Sequence, residues 1–279
     1  MTSVNGHRAD ATTLTGISEA ALLTLRARAN EARRPDAIID DPLAIRLMDS
    51  IDYDFSKFGR ASRQDIALRA LAFDDTARRY LATRPRATVV ALAEGLQTSF
   101  WRLDELDVRH EFRWLTVDLP PILELRRRLL PKSPRISVRA QSALDFSWMD
   151  AVEPAQGVFI TAEGLLMYLQ PDQAVGLIAQ CARRFGGGQM MFDLPPRWFP
   201  ALIRHGFRTS PGYKVPPMPF SLSVAEIAEL VSTIPGIRAV HDIPLPRGRG
   251  PLFDLLLWTL QRLPVFDPLR PALTLLEFG

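Results

Sequence analysis

Residues 88–103 read TVVALAEGLQTSFWRL, and this stretch decides the fold class. Its first six residues form a short, almost wholly apolar run rich in β-branched side chains, which is typical of a parallel strand covered on both faces. Gly95 follows where the chain must turn from strand to helix. Such a turn brings backbone N–H groups and a helix N-terminus towards a ligand, although a single glycine at a turn is more often structural.

Similar apolar runs recur along the chain and are separated by helical patterns. They cover residues 113–117, 136–138, 158–161 and 189–192. A last strand is predicted at 238–243, with helices at 224–232 and 252–263. This alternation predicts a doubly wound, mainly parallel α/β sheet of the Rossmann-like class.

The residues before the first core strand have the apolar spacing of helices. The first predicted helix covers 18–34 and has Ser18 as its N-cap. The second begins at Pro42 and has Asp41 as its N-cap, and the third covers 62–83. We interpret the chain as one domain, 1–279. Its parts are a helical extension or lid at 1–85, a ligand-binding core at 86–193, a cover at 194–223 and the C-terminal part of the core at 224–279.

The cover is predicted from its composition. Residues 195–219 contain seven prolines interleaved with aromatic side chains. Proline restricts the backbone and aromatic rings supply apolar area, so an ordered cover over a site is favoured, with a merely packed surface loop as the alternative.

The composition argues against several classes of partner and site. The chain has 279 residues, and 34 basic and 31 acidic side chains give a net charge of +3, with the arginines scattered; a nucleic-acid partner is not indicated. The single cysteine, Cys181, cannot form an internal disulfide or a cysteine-based metal site, which suits a reducing cytoplasm. Charged and polar residues interrupt the most apolar late segment, 251–264, so neither export nor a membrane partner is indicated.

Polar residues follow three of the predicted strands. Asp118 ends the second strand, 23 positions after Gly95, and Glu163 and Gly164 end the fourth. A carboxylate about 20 residues beyond a glycine turn is suited to hold ribose hydroxyls, and neighbouring strand ends share one crevice. No GxGxxG or GxxxxGK[ST] pattern is present at the turn, so a nucleoside without phosphates is favoured over NAD or ATP.

Six segments together resemble the leucine carboxyl methyltransferase and TcmP-like O-methyltransferases, a class I family that uses S-adenosyl-L-methionine. The similarity runs from about residue 22 to 220 and is carried by RANEARRPDAIIDDPLA, VVALAEGLQTSFWRLD, WLTVDLPPILELRRRLLP, SALDFSWMD, AEGLLMYL and FDLPPRWF. The chain departs from the family's usual LGAGLDT turn, because it reads LAEGLQT with Ala93 and Gln97, and it carries Gln141–Ser142 where many members have an Asp.

The resemblance implies a set of cofactor-binding residues. Arg69 and Arg28 would hold the methionine carboxylate, Asp118 the ribose and residues 141–143 the adenine, while Glu163 would lie at the sulfonium end. The full set is Arg28, Arg69, Ala93, Gly95, Asp118, Leu119, Gln141, Ser142, Ala143, Glu163 and Gly164.

The implied reaction is O-methylation of a small, polyketide-like acceptor, as in secondary metabolism. A carboxylate acceptor needs no base, whereas a phenol would be helped by one, and Tyr168 or His205 could serve. Tyr168 and residues 198–213 are expected to shape the acceptor pocket, with Arg204 or Arg208 attracting an anionic acceptor. The alternatives are a binding module or pseudoenzyme that keeps the fold, and a methyltransferase-like enzyme with other chemistry. The oligomeric state cannot be read from the sequence.

Overall fold

The N-terminal third is helical, as the apolar spacing predicts. The computed structural model describes residues 8–59, 63–107, 109, 111–206, 208 and 210–279; Ser62 of the third predicted helix and Phe207 of the predicted cover lie outside them. Asp41 caps the second helix by accepting a 2.9 Å hydrogen bond from the backbone N–H of Ala44. The cap predicted at Ser18 is wrong, because the first helix already begins at Ile17 after Gly16. The elements here are β1 Ala9–Asp10, α1 Ile17–Ala32, α2 Pro42–Ser50, β2 Ile51–Asp52 and α3 Gln64–Thr83.

Strands and helices then alternate up to the seventh strand, as predicted. These elements are β3 Thr88–Leu92, α4 Ser99–Leu106, β4 Arg113–Asp118, α5 Pro120–Leu129, β5 Ile136–Ala140, β6 Val158–Ala162, α6 Pro171–Arg184 and β7 Gln189–Leu194. The rest are α7 Trp198–Arg204, α8 Val224–Ala228, α9 Leu230–Thr233, β8 Ile237–Asp242, α10 Pro251–Arg262 and β9 Ala272–Phe278. Single 3-10 turns lie at Phe55–Phe58, Phe146–Ala151, Pro154–Gln156, Leu166–Tyr168 and Pro264–Leu269.

The central sheet of the described chain has seven strands in the order β5-β4-β3-β6-β7-β9-β8. Neighbours from β5 to β7 are parallel, and β9 is antiparallel to both β7 and β8. The doubly wound, mainly parallel class is therefore confirmed. The strand order reverses between β3 and β6, and open α/β sheets bind ligands outside the carboxyl ends of the strands at such a point.

The C-terminal part differs from the sequence-based interpretation in two ways. The strand β9 was not predicted, although it inserts between β7 and β8 and most of its side chains are buried. The predicted helix at 252–263 exists as α10, but none of its residues is buried, so it is not core. Both segments are rich in leucine, and β9 is identified as a strand by its pairing with β7 and β8.

Apolar side chains cover both faces of the sheet and a third cluster anchors the N-terminal helices. Trp148, Phe185 and Phe192 pack on one face, and Phe100 and Trp114 on the other. Each such buried side chain contributes about 1.5–3 kcal/mol. The third cluster joins α1 and α2 to the turn after β3 and includes Leu22, Leu25, Leu47, Leu96 and Ile122. The N-terminal extension is thus packed directly against the carboxyl ends of the strands.

No helix within the described residues combines the length and the apolar character that a membrane crossing requires.

Candidate functional site

The turn after β3 is held open by hydrogen bonds to its backbone. Ala93 and Gly95 both have left-handed backbone conformations, with φ of 49° and 60°. The carboxylate of Asp118 accepts 2.7 Å hydrogen bonds from the backbone N–H groups of Gly95 and Leu119. Burial raises the pKa of Asp118 above its ordinary value, against these two N–H donors, which lower it. Two strand ends that are 23 residues apart in the sequence therefore meet at one carboxylate.

A buried ion pair between Arg126 and Glu94 stabilises the same turn. Arg126 of α5 donates to the carbonyl oxygens of Gly95 and Gln97, at 2.9 and 2.8 Å. It also pairs with Glu94 at 2.9 Å, and Glu94 accepts a 2.6 Å hydrogen bond from Thr116. Sequence reasoning missed Arg126, because three consecutive arginines at the end of α5 gave no sign of which one points inward.

The ends of β6 and β7 form a second polar group around one guanidinium. Arg69 donates from Nε to Glu163 at 3.0 Å and from Nη1 to Asp193 at 2.9 Å. Glu163 also accepts a 2.7 Å hydrogen bond from the amide of Gln97, which links this group to the glycine turn. Asp193 further accepts from the backbone N–H of Gly164 at 2.6 Å.

Burial and neighbouring charges shift the pKa values of Arg69 and Asp193 in opposite directions. Burial alone would lower the pKa of Arg69, but Asp193 and Glu163 outweigh it and the pKa is raised. Burial raises the pKa of Asp193, with Arg69 acting in the opposite direction. Asp193 was not predicted as a site residue, although the rule that selected Asp118 and Glu163, a carboxylate at the end of a core strand, applies to it equally.

Arg28 is the one implied cofactor residue that does not line the cavity in the described chain. Its side chain is fully buried, with Nε 3.3 Å from Asp41 and Nη2 donating to the carbonyl oxygen of Leu96 at 2.7 Å. Arg28 therefore lies in the packed layer behind the turn and not on the cavity lining, because α1 directs it there; its role towards the cofactor stays a prediction. Its carboxylate partner also pairs with Arg102 at 2.7 Å, and Arg102 pairs with Asp74 at 2.6 Å.

A cavity of about 660 Å³ opens at the carboxyl ends of the strands. Its volume lies within the range of about 300–1,000 Å³ that is usual for small-molecule sites. Ten of the eleven implied cofactor residues line it: Arg69, Ala93, Gly95, Asp118, Leu119, Gln141, Ser142, Ala143, Glu163 and Gly164. The structure therefore brings the predicted strand-end residues together around one space, and that space is not filled by side chains.

The opposite side of the cavity is apolar. Tyr168 and the segment after β7 contribute to it as predicted, through Trp198, Phe199, Tyr213 and Met218. Phe253 and Leu257 of α10 complete this wall and were missed, because the sequence pattern assigned α10 to the core. Their i, i+4 spacing is the signal that could have shown one shared helix face.

Three residues predicted near the acceptor are not on the cavity wall. His205, Arg204 and Arg208 are exposed, and Arg208 donates to the carbonyl oxygen of Pro211 at 3.3 Å. The helix α7 buries Pro200 and Ile203, whereas Arg204 and His205 at its C-terminal end are exposed. His205 as a base and the two arginines as anion receptors stay predictions, and none of the three lines this cavity.

Tyr168 lines the cavity, but its charge state differs from that of a base. Burial raises its pKa to about 12, so its hydroxyl stays neutral near pH 7 and acts as a hydrogen-bond donor. Among the described residues, no cluster of three or more His, Cys, Asp or Glu side chains could hold a metal ion.

A mainly parallel sheet of this order, with a glycine turn and three strand-end carboxylates on one cavity, defines the class I methyltransferase fold. The chain belongs to the leucine carboxyl methyltransferase family, whose model matches residues 21–182. The resemblance described above is thereby confirmed, and the cofactor of the family, S-adenosyl-L-methionine, is the cofactor of this chain.

Relatives support the family, and a solved structure supports the fold. The chain is 32% identical over 227 residues to the tetracenomycin polyketide synthesis O-methyltransferase TcmP of Streptomyces glaucescens, covering 81% of this chain and 82% of TcmP. It is 28% identical to the S-adenosyl-L-methionine-dependent methyltransferase dpfgK of Gibberella zeae, covering 66% and 67% of the two chains. A putative methyltransferase from Thermobifida fusca shares the fold, with a TM-score of 0.52, 17% identity and coverage of 91% and 94%.

The residues on the cavity wall fit this cofactor. Asp118 is a buried carboxylate at the position suited to ribose hydroxyls, and only its two backbone donors occupy it within the described residues. A cationic sulfonium is compatible with Glu163 and Asp193, which share the single Arg69. Gly95 has a left-handed φ of 60°, and an added Cβ atom there would lie 3.1 Å from the Cβ atom of Ala21, so a residue without a side chain lets α1 approach the turn that lines the cavity.

Proposed function

We propose that the protein transfers a methyl group from S-adenosyl-L-methionine to an oxygen atom of a small, apolar, polyketide-like acceptor. The observation that carries the proposal is the continuity of one cavity, which contains both the strand-end carboxylates and the aromatic wall. Cofactor and acceptor then lie side by side, as a direct transfer requires. The name of TcmP, a polyketide synthesis O-methyltransferase, supports the oxygen acceptor and the compound class.

Each wall residue has a proposed task. Asp118 accepts hydrogen bonds from the ribose hydroxyls, and residues 141–143 flank the adenine. Arg69 uses Nε and Nη1 for its two ion pairs, and Nη2 is the nitrogen that would meet the methionine carboxylate. Glu163 and Gly164 border the sulfonium end. When bound, the cofactor supplies an electrophilic methyl group, and the chain positions the acceptor and excludes water.

The division of the chain follows from these tasks. Described residues of α1 and of 63–69, together with residues of the cover at 194–223, line the cavity beside the core at 86–193, which supports the proposed division. The helix α10 joins the cover, whereas β8 and β9 extend the sheet. A small-molecule partner and a cytoplasmic location are part of the proposal.

Two measurements test the proposed function. Titration calorimetry with S-adenosylmethionine and S-adenosylhomocysteine should show binding of both; no heat from either at high protein concentration would favour a binding module that has lost its site. Incubation with methyl-labelled cofactor and a panel of aromatic phenols and carboxylic acids should then produce a labelled O-methyl group, identified by its carbon resonance. Label found only on nitrogen or carbon would refute the oxygen assignment.

A further inference from the structure

The helix α10 carries apolar side chains on two opposite faces. Phe253 and Leu257 belong to its inner face and line the cavity. On its outer face, Leu252, Leu255 and Leu256 are 82%, 60% and 57% exposed, and no residue of the helix is buried. A helix that is apolar on both sides is normally covered on both sides. The outer face of α10 is therefore a surface without a partner in the described part of the chain.

This exposed apolar surface continues beyond the helix. The 3-10 turn Pro264–Leu269 follows α10 directly and adds Val265 and Leu269. The indole nitrogen of Trp198 in α7 donates a 3.3 Å hydrogen bond to the carbonyl oxygen of Leu269, so this ring joins the same surface. We call the surface the α10 patch, and its members are Trp198, Leu252, Leu255, Leu256, Trp258, Leu263, Val265 and Leu269.

The size of the α10 patch is that of a stable protein interface. Its eight side chains are each 43–82% exposed. Together they present roughly 900 Å² of surface, against about 800 Å² per partner in a standard interface. The largest apolar patch of a typical monomer is smaller, about 300–600 Å². The α10 patch is thus large enough to hold a folded partner by itself.

The spacing of the outer face fits a second copy of the same helix. Leu252, Leu256, Thr259 and Leu263 follow one another at intervals of four, three and four residues, the spacing of a seam between paired helices. This order of intervals is the same in both chain directions. Two antiparallel copies related by a two-fold axis therefore bring Leu252 of one copy opposite Leu263 of the other, and Leu256 opposite Thr259.

The one polar side chain of this seam can be buried. The hydroxyl of Thr259 donates a 2.7 Å hydrogen bond to the carbonyl oxygen of Leu255 in its own helix. A polar group that already has a hydrogen-bond partner loses little when water is removed. Thr259 is therefore compatible with a dry contact between two helices.

The charges around the patch argue against a membrane surface as its occupant. Helices that lie on membranes carry many lysines and arginines along their polar face. Residues 251–269 contain a single cation, Arg262, and two carboxylates, Asp254 and Asp267. The next cation along the chain, Arg270, is held by Asp242 and Asp267 at 2.5 and 2.9 Å. A protein partner with an apolar face fits this surface better than an anionic lipid surface does.

We propose that the α10 patch is the two-fold interface of a homodimer, in which α10 packs antiparallel against the same helix of a second copy. This interface is independent of methyl transfer and adds to the proposed function. Phe253 and Leu257 lie on the other side of the same helix, so the dimer also holds in place a helix that forms part of the apolar cavity wall.

The mass of the protein in solution tests the interface. Light scattering after size exclusion, and sedimentation equilibrium, should give twice the mass of the chain at micromolar concentrations. A wild-type chain that stays monomeric up to about 100 µM would overturn the proposal and leave the patch to a different partner.

A pair of lysine variants tests which surface forms the dimer. Leu256→Lys should raise the dissociation constant at least about hundredfold, because a two-fold interface would bury the unpaired charge twice. Leu106→Lys, at a 67% exposed position at the end of α4, is the matched control and should leave the dimer intact. Neither position is buried, so both variants should fold, which thermal unfolding checks. Equal dissociation constants for the two variants would contradict the assigned interface.

Cross-linking tests the antiparallel arrangement. Leu256 lies within one helical turn of the proposed axis, so the two copies of Leu256→Cys should be joined by a short bifunctional maleimide. The native Cys181 is buried and does not compete for the reagent. Leu106→Cys is the control and should give no cross-linked dimer. Failure of Leu256→Cys to cross-link, or an equal yield from Leu106→Cys, would refute the two-fold packing of α10.

Discussion

The carboxylate of Asp118 accepts a 2.7 Å hydrogen bond from the backbone N–H of Gly95. The acidic residue at the end of β4 therefore shapes the turn after β3 in addition to facing the cavity. Its second oxygen accepts from the N–H of Leu119, where α5 is about to begin. One side chain thus sets the relative position of two strand ends before any ligand is bound.

Asp118→Ala should weaken the binding of S-adenosylhomocysteine by more than about tenfold, since a charged hydrogen-bond acceptor is lost. The structure predicts a loss of about 1–3 kcal/mol in the free energy of unfolding, because two partly buried backbone N–H groups lose their charged acceptor. Calorimetry and denaturant unfolding measure the two effects. Unchanged affinity in the variant would remove the ribose assignment.

Ala93→Gly should stabilise the protein. The left-handed conformation of Ala93, with φ of 49°, costs a residue with a Cβ atom about 1–2 kcal/mol, part of which is offset by the greater freedom of glycine in the unfolded chain. We expect a net gain of about 0.5–1 kcal/mol, with preserved or tighter cofactor binding. Ala91→Gly, in the middle of β3, is the matched control and should destabilise. A lower melting temperature for Ala93→Gly would contradict the strain argument.

Arg102→Met should destabilise the protein by about 3–5 kcal/mol, because it leaves two buried carboxylates, Asp41 and Asp74, without their shared cation. Arg102→Lys should not restore the wild-type stability, since an ammonium cannot reproduce the branched guanidinium contacts. Arg127→Met removes an exposed arginine that pairs with Glu124 and serves as the control with unchanged unfolding. A small effect of Arg102→Met in denaturant unfolding would show that the cluster is not needed for the fold.

Tyr168 should contribute a pH-dependent part of the stability. Burial raises its pKa to about 12, above the value of about 10 in an unfolded chain. The neutral form is therefore favoured by folding, and its contribution is present below pH 10 and is lost as the pH rises towards 12. The difference in unfolding free energy between wild type and Tyr168→Phe should fall across this range. A difference that is constant from pH 9 to 12 would argue against a buried hydroxyl.

The candidate site could be predicted where the signal is local in the chain. A carboxylate or glycine at the end of a core strand can be read directly, and Asp118, Glu163 and Gly95 do line one cavity. The orientation of Arg28 could not be predicted in this way, because the sequence of α1 is the same whether this arginine faces the cavity or Asp41. The exposure of His205 likewise depends on the rotation of α7, which no residue spacing specifies.

The sequence by itself determined the alternation of apolar strands and helices, and with it the parallel sheet and the edge at which a ligand of such a sheet binds. The reason is that a buried strand is a continuous apolar run, and the polar or glycine residue after the run marks its end. Tertiary structure decided which of three arginines in α5 braces the glycine turn, and that α10 rather than His205 borders the acceptor space. It also placed β9 between β7 and β8. The physical reason is that helix rotation, strand pairing and long-range ion pairs depend on contacts between residues far apart in the chain, whose energies no local pattern contains.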